Sequence, residues 1–346
     1  MKVVFRVDAS FQVGAGHLMR CLTLAEALRE RGVDIYIICR ECPGNLIAML
    51  RQKAIPVRVM KPEDHTENLG EIQAEDADQT IGAINGESTD WLVVDHYGLD
   101  AVWENKLRPH VKNLMVIDDL ANRPHVCEIL LDQNFVASGD VRYKNLVTPL
   151  CKVLLGPKYA LLRKEFKMLR ENLEPRVREM RKILVFFTSG DDQGETLKAM
   201  QGIELSGKDV HVDVVVGLTN PGNEEISEKC TERNWDFHRQ VDYMPRLIAE
   251  ADIVIGAGGS SNWERCALGV PALVAILAEN QLPIAEALDS AGIVVNLGWW
   301  SNLQATDYAN ALNALTHEAL NSMSDKAFKL VDAEGADRAV EMLLAA

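Results

Sequence analysis

A chain of 346 residues, 47% of them hydrophobic, has room for two domains and ample core. Its formal net charge of −15 sets it against a nucleic-acid backbone or an anionic membrane surface as the main partner, since both would repel it, although a local basic pocket for a phosphate stays open. No apolar run approaches the roughly 18 residues of a membrane span, and MKVVFRVDAS lacks the apolar core and cleavage site of a signal peptide, so a cytoplasmic location is expected.

The first predicted element is the strand KVVFRVD, which runs into Gly14-Ala15-Gly16, then His17, then an amphipathic helix. Leu18, Cys21, Leu22, Ala25 and Leu28 fall on one stripe of that helix and should face a sheet. Gly14 and Gly16 permit a tight turn and a close approach of backbone N–H groups to a ligand. Neither named phosphate motif fits: a dinucleotide fingerprint needs glycine where Met19 stands, and a P-loop needs Gly-Lys-Ser/Thr where Gly16 precedes His17. At the helix start His17 meets the positive end of the macrodipole, which disfavours the imidazolium. It reads either as a neutral base that takes a proton from a nucleophile or as a residue that caps and packs the turn.

The strands DIYIIC, PVRVM, WLVVDH, LMVIDD, EILLDQ and KVLLG follow, separated by stretches of helical period. Cys39 ends the second strand and forms a C-x-x-C with Cys42. Zinc would require two more ligands at matching spacing and none is present, so the pair reads as a core and a loop cysteine, and no metal is expected. Seven scattered cysteines fit reduced thiols better than a disulfide framework. Several strands end in polar groups suited to ligand contact or to turn formation: Asp95-His96-Tyr97, Asp118-Asp119 and Asp132-Gln133-Asn134.

Leu161 to Lys182 is charged, poor in strand formers and interrupted by Pro175. It divides the chain into an N-terminal domain (1–165), a linker (166–182) and a C-terminal domain (183–346). The second series of strands is KILVFFTS, VHVDVVVG, ADIVIGAGG, PALVAIL and GIVVNLG. Near-continuous apolar strands alternating with helices predict an α/β protein of two doubly wound, Rossmann-like domains facing one another across a cleft, with ligands beyond the carboxyl ends of the strands.

In the second domain, Gly256-Ala257-Gly258-Gly259-Ser260-Ser261 joins a strand to a helix and makes an anion site without a lysine. Glu264, about one turn into that helix, is placed to accept hydrogen bonds from a ribose diol. Thr188, Ser189 and Gly190 end the domain's first strand, but Asp191 and Asp192 are awkward beside a phosphate, and at least one should cap the next helix. Asn280 and Gln281 add uncharged donors, and Arg163 is the candidate cation.

FRVDASFQVGAGHLMRCLTLA, VVDHYG, GPKYALLRKEF and AGGSSNWERCALGVPALVAILAENQ, in that order over roughly residues 1 to 300, resemble the UDP-sugar hydrolases of pseudaminic acid biosynthesis, which act on UDP-2,4-diacetamido-2,4,6-trideoxy-β-L-altropyranose. The resemblance implies a GT-B fold, related to the transferase that adds N-acetylglucosamine to lipid-linked muramyl-pentapeptide, and a role in flagellin glycosylation. It makes His17 the base, with Gly14 and Gly16 near the diphosphate, Glu264 the ribose ligand, Ser260 and Ser261 phosphate contacts and the backbone at Val241 a uracil contact. Asp95 or Tyr97 would orient water or sugar, and the turn from Gly258 through Gly259 to Ser261 would stabilise charge on the diphosphate. Relatives carry Gly-Gly where Ser189-Gly190 stands, which leaves that loop's contacts open. The expected reaction is metal- and cofactor-independent attack of one water at the anomeric carbon, with inversion. A glycosyltransferase using the same donor and a non-catalytic nucleotide-sugar-binding protein are the alternatives. The UDP-sugar is the expected partner, with no membrane and a monomer favoured. The apolar stripe of AFKLVDAEGADRAVEMLLAA predicts a closing helix.

Overall fold

The central apolar runs form strands because their side chains are buried on both faces of a parallel sheet, where alternation with polar residues has no use, while the edge strands are only partly covered. In the first half these are β1 (Lys2–Val7), β2 (Asp34–Arg40), β3 (Val57–Met60), β4 (Trp91–Asp95), β5 (Asn113–Ile117), β6 (Ile129–Asp132) and β7 (Lys152–Leu155). The second half has β8 (Lys182–Phe186), β9 (His211–Val216), β10 (Asp236–Arg239), β11 (Ile253–Ala257), β12 (Ala272–Ile276) and β13 (Val294–Trp299). The computed structural model describes residues 1–10, 14–62, 69–137, 139–173 and 179–345. Pro175, expected to break the boundary segment, lies outside the described residues.

Two compact units result. The first comprises Met1–Asn134, Ser138–Leu161 and Glu334–Ala346, and the second Phe135–Ala137 and Leu162–Ala333. Both sheets are parallel throughout, with orders β3-β2-β1-β4-β5-β6-β7 and β10-β9-β8-β11-β12-β13. Strand order therefore reverses between β1 and β4 in the first unit and between β8 and β11 in the second. Loops leave in opposite directions at such a point and open a crevice at the carboxyl ends.

In the first unit the helix Gly16–Glu30 lays Leu18, Cys21, Leu22, Ala25 and Leu28 against β1, β2 and β4, as its periodicity demands. Trp103, Leu107 and Leu114 pack the opposite face of that sheet. The tail is two helices rather than one: His317–Leu330 and Gly335–Leu344 are separated by a break at which Ala333 has a φ of 64°. The last helix adds Ala339, Val340 and Leu343 to the core of the first unit. Gly335 has no room for a side chain, since a methyl group there would lie 2.3 Å from the Ala160 carbonyl oxygen. Part of the expected linker is the helix Lys164–Glu171 of the second unit. Among the described residues, all seven cysteines are free and no helix is long and apolar enough to cross a membrane.

Candidate active site

In the first unit, the crevice between β1 and β4 receives His17 from one side and Asp95 from the other. His17 is the second residue of its helix, and Asp95 is the last of β4. The imidazole Nδ1 lies 2.6 Å from Asp95 Oδ1. Arg20 Nη2, which only donates, also lies 3.1 Å from Nδ1, but it is satisfied by Asp95 Oδ1 at 2.7 Å. The shorter contact, to a carboxylate that only accepts, therefore places the proton on Nδ1 and leaves the lone pair of Nε2 for chemistry. Arg20, one turn further along the helix, donates from Nε to Asp95 Oδ2 at 2.6 Å and from Nη2 to Asp95 Oδ1 at 2.7 Å. Its Nη1 reaches Asp119 Oδ2 at 2.8 Å. Burial pushes the Asp95 carboxyl up, but the Arg20 guanidinium and His17 outweigh it and hold the group well below the usual carboxylate range.

The cluster is thus a histidine oriented by an ionised carboxylate, which a bidentate arginine orients in turn. Two carboxylates face one guanidinium, and the surplus negative charge stabilises the imidazolium that forms when the ring accepts a proton. It opposes the helix macrodipole, which acts the other way at this position. Tyr97 packs its ring edge-on to the imidazole, with centroids 4.4 Å apart. Burial and the Asp119 carboxylate push its phenol up, which keeps the hydroxyl a donor. Arg20 was missed by sequence reading, although its place three residues after His17 is the spacing at which two helical side chains meet.

His96 has a different role. Its Nδ1 accepts the N–H of Gly98 at 3.1 Å, so its proton sits on Nε2. Burial and the charge of Arg6 push the ring down to about 4, against the opposing pull of Asp8 and Asp76. The native state therefore favours the neutral ring, and the stability this gives is present above the unfolded value of about 6.5 and lost as pH falls through the folded one. Between pH 7 and pH 4.5, wild-type protein should lose on the order of 2 kcal/mol more than His96→Gln in urea unfolding, and equal losses would refute the assignment.

Not every polar strand end belongs to the cluster. Asp118 pairs with Arg123 at 2.8 Å and accepts the Tyr143 hydroxyl at 2.9 Å, while Gln133 accepts the N–H of Leu161 at 3.0 Å. Burial pushes the Asp132 carboxyl up to about 6, against the pull of the paired Arg142. Asn134 donates its backbone N–H to Asp132 at 2.9 Å. These groups hold loops. In the turn before His17, Gly14 has a φ of 79° and bonds its N–H to the Ser10 carbonyl at 2.8 Å, and Gly16 opens the helix.

In the second unit, the crevice between β8 and β11 is lined by the segment after each strand. Gly258 to Ser260 lead from β11 into the helix Ser261–Ala267, and the Ser260 hydroxyl makes no capping bond. Gln281 flanks this turn: a methyl group at Gly258 would lie 3.4 Å from its Cβ, and its Oε1 accepts the Leu277 N–H at 3.0 Å. Asn280 precedes it in the same short 3-10 turn, Glu279–Gln281. Glu264 is half-buried, and burial pushes its carboxyl up against the charges of Arg163 and Arg265. Arg163 donates to the Asp242 carbonyl at 3.3 Å, which brings the segment after Val241 to the same side as Glu264.

After β8, Ser189 and Gly190 form the opposing wall. The Ser189 backbone lies so close to Gly217 that a methyl group there would sit 1.7 Å from the Ser189 carbonyl oxygen. Both aspartates of this loop accept backbone N–H groups: Asp191 from Gln193 at 2.8 Å, and Asp192 from Gly194 at 3.0 Å and Thr196 at 3.1 Å. Asp192 thereby commits its charge to the start of the helix Glu195–Ser206, whereas Asp191 holds the turn before it.

No family model matches the chain. It is 31% identical over 265 residues to the UDP-2,4-diacetamido-2,4,6-trideoxy-beta-L-altropyranose hydrolase of Campylobacter jejuni, across 75% of the chain and 86% of that protein. An uncharacterized protein of Methanocaldococcus jannaschii is 23% identical over 291 residues, which cover 82% of the chain but only 56% of that relative's length. The chain thus spans little more than half of that longer protein. Among solved structures, MurG of Acinetobacter baumannii matches over 100% of both chains with a TM-score of 0.70 at 15% identity, a likeness of fold that identifies the architecture as GT-B.

Proposed function

The chain belongs to the GT-B family of nucleotide-sugar biosynthesis that includes the Campylobacter jejuni hydrolase, and on that footing we propose that it releases UDP from UDP-2,4-diacetamido-2,4,6-trideoxy-β-L-altropyranose by attack of water at the anomeric carbon. Pseudaminic acid biosynthesis is the corresponding pathway. The observation that carries the reading is the coupling of His17 to Asp95 at 2.6 Å, with Arg20 bidentate on the same carboxylate.

UDP is a good leaving group, so the protein has to orient one water, accept its proton and hold the diphosphate. His17 Nε2 takes the proton as the water oxygen bonds to the anomeric carbon and the bond to the β-phosphate oxygen breaks. Asp95 keeps the ring in the required tautomer, and Tyr97, whose O–H is held by Asp119, offers its oxygen as an acceptor for positioning water or sugar. The turn from Gly258 to Ser261, with Ser189, Gly190, Asn280 and Gln281, provides N–H, hydroxyl and amide groups for the diphosphate, Glu264 accepts from the ribose diol, and the backbone at Val241 meets the uracil. Arg163 supplies a cation. One water attacking directly gives inversion, and no second carboxylate is required as a nucleophile.

Incubation with a panel of UDP-2,4-diacetamido sugars and no acceptor tests this. Release of UDP and free sugar, with inverted anomeric configuration by proton NMR taken within minutes, is the expected result. Turnover that requires an added sugar or lipid acceptor would replace the hydrolase with a transferase, and binding without turnover over hours would leave only a binding protein. The ribose assignment has its own check. Glu264→Ala should weaken UDP binding about tenfold or more while changing 2′-deoxy-UDP binding far less, and equal losses for the two would remove Glu264 from the ribose.

A further inference from the structure

Four arginines among the described residues are more than nine-tenths buried in the two cores, and three of them are matched by carboxylates. Arg6 pairs with Asp8 and Asp76, Arg20 with Asp95 and Asp119, and Arg40 with Asp76. The fourth is Arg265, only 2% exposed, for which the described residues provide no ion pair. Its Nη2 donates to the Ala257 carbonyl at 3.1 Å and to Asn262 Oδ1, whereas Nε and Nη1 have no hydrogen-bond partner. Its place is defined by Gly256: a methyl group there would lie 2.2 Å from the Phe186 carbonyl oxygen and 3.1 Å from Arg265 Nη1. The guanidinium therefore sits where β8 and β11 end, directly behind the Gly258 to Ser261 turn. Trp263 Nε1 and Asn262 Nδ2, also buried, are without partners beside it. The neighbouring Glu264 carboxylate feels this charge without forming an ion pair with it, and a buried cation that lacks an ion pair is costly unless an anion completes it.

We propose that Arg265 is the fixed counter-charge of the nucleotide site, a guanidinium behind the turn whose charge is balanced by the diphosphate and which sets the preference for a nucleoside diphosphate over a nucleoside. The inference rests on the UDP reading and assigns the main positive charge to a residue inside the fold rather than to Arg163 at its surface. Arg265 acts through the turn and is a positioning residue. Its neighbour Glu264 remains available to the ribose, because consecutive helical side chains point about 100° apart.

Calorimetric titration of UDP, UMP and uridine into the intact chain tests the proposal. Wild-type protein should bind UDP well ahead of uridine. Arg265→Gln should reduce that preference on the order of tenfold while leaving uridine affinity within about twofold, and Arg265→Lys should retain most of it. Asn262→Asp provides a second route that keeps the arginine: an isosteric carboxylate on Nη2 neutralises the charge in place and should lower the UDP preference by a similar factor. If Arg265 only tethers the turn, Asn262→Asp strengthens the tether and leaves the preference unchanged, and Arg265→Gln weakens UDP and uridine together; either result overturns the proposal with the UDP reading intact. Failure of wild-type protein to bind UDP would overturn both.

Discussion

Asp95→Asn should bind UDP about as well as wild-type protein and turn over the UDP-sugar on the order of 10³-fold more slowly. The carboxylate has two tasks that an amide cannot perform. It accepts the Nδ1 proton of His17 at 2.6 Å, which keeps Nε2 free, and it supplies the negative charge that the imidazolium needs. An asparagine can turn its NH2 toward Nδ1 and select the opposite tautomer, in which Nε2 carries a proton and cannot accept one. The same change leaves Arg20 with Asp119 as its one carboxylate partner, so a stability loss of about 3 kcal/mol is expected. Measuring kcat together with the dissociation constant for UDP separates chemistry from folding. Turnover within a factor of ten of wild type, in a folded chain, would mean that the Asp95 contact is structural.

Gly217→Ala should abolish most nucleotide binding through a single methyl group. That methyl would lie 1.7 Å from the carbonyl oxygen and 2.2 Å from the carbonyl carbon of Ser189, both backbone atoms that cannot rotate away. The Ser189-Gly190 segment must then move as a whole, and it is one wall of the crevice between β8 and β11. Overpacking of this kind costs about 1 to 3 kcal/mol in stability, and the displaced wall should weaken UDP by on the order of a hundredfold. Differential scanning calorimetry and UDP titration of the variant measure both. A variant that binds UDP normally would show that the Ser189 segment does not touch the nucleotide.

Much of the architecture was legible because parallel sheets buried on both faces are written as unbroken apolar runs. The exception, β10, reads Asp-Phe-His-Arg and lies at the sheet edge, where burial asks for no such run. The tail misled for a local reason. Its apolar stripe continues through Ala333, but that residue takes a positive φ and divides the stripe into two helices. His17, Asp95 and Tyr97 were nameable because strand ends are where such folds present polar groups, and topology does bring these three together. Arg20 was hidden on a helix face otherwise read for its hydrophobic stripe. Arg265 was hidden for the opposite reason: an arginine beside a glutamate on a helix suggests a solvated face, and only the fold shows it buried and unpaired. The aspartates at 191 and 192 were ambiguous until their backbone partners were known, since capping and ligand contact place the same residue types at a strand end.

The most direct measurement is UDP release by His17→Ala from UDP-2,4-diacetamido-2,4,6-trideoxy-β-L-altropyranose without any acceptor, alongside UDP titration of the same protein. Loss of release by three orders of magnitude or so, with UDP affinity within a few-fold of wild type, is expected if His17 carries the proton. Near-normal release from that variant would contradict a mechanism based on the histidine of the β1 crevice.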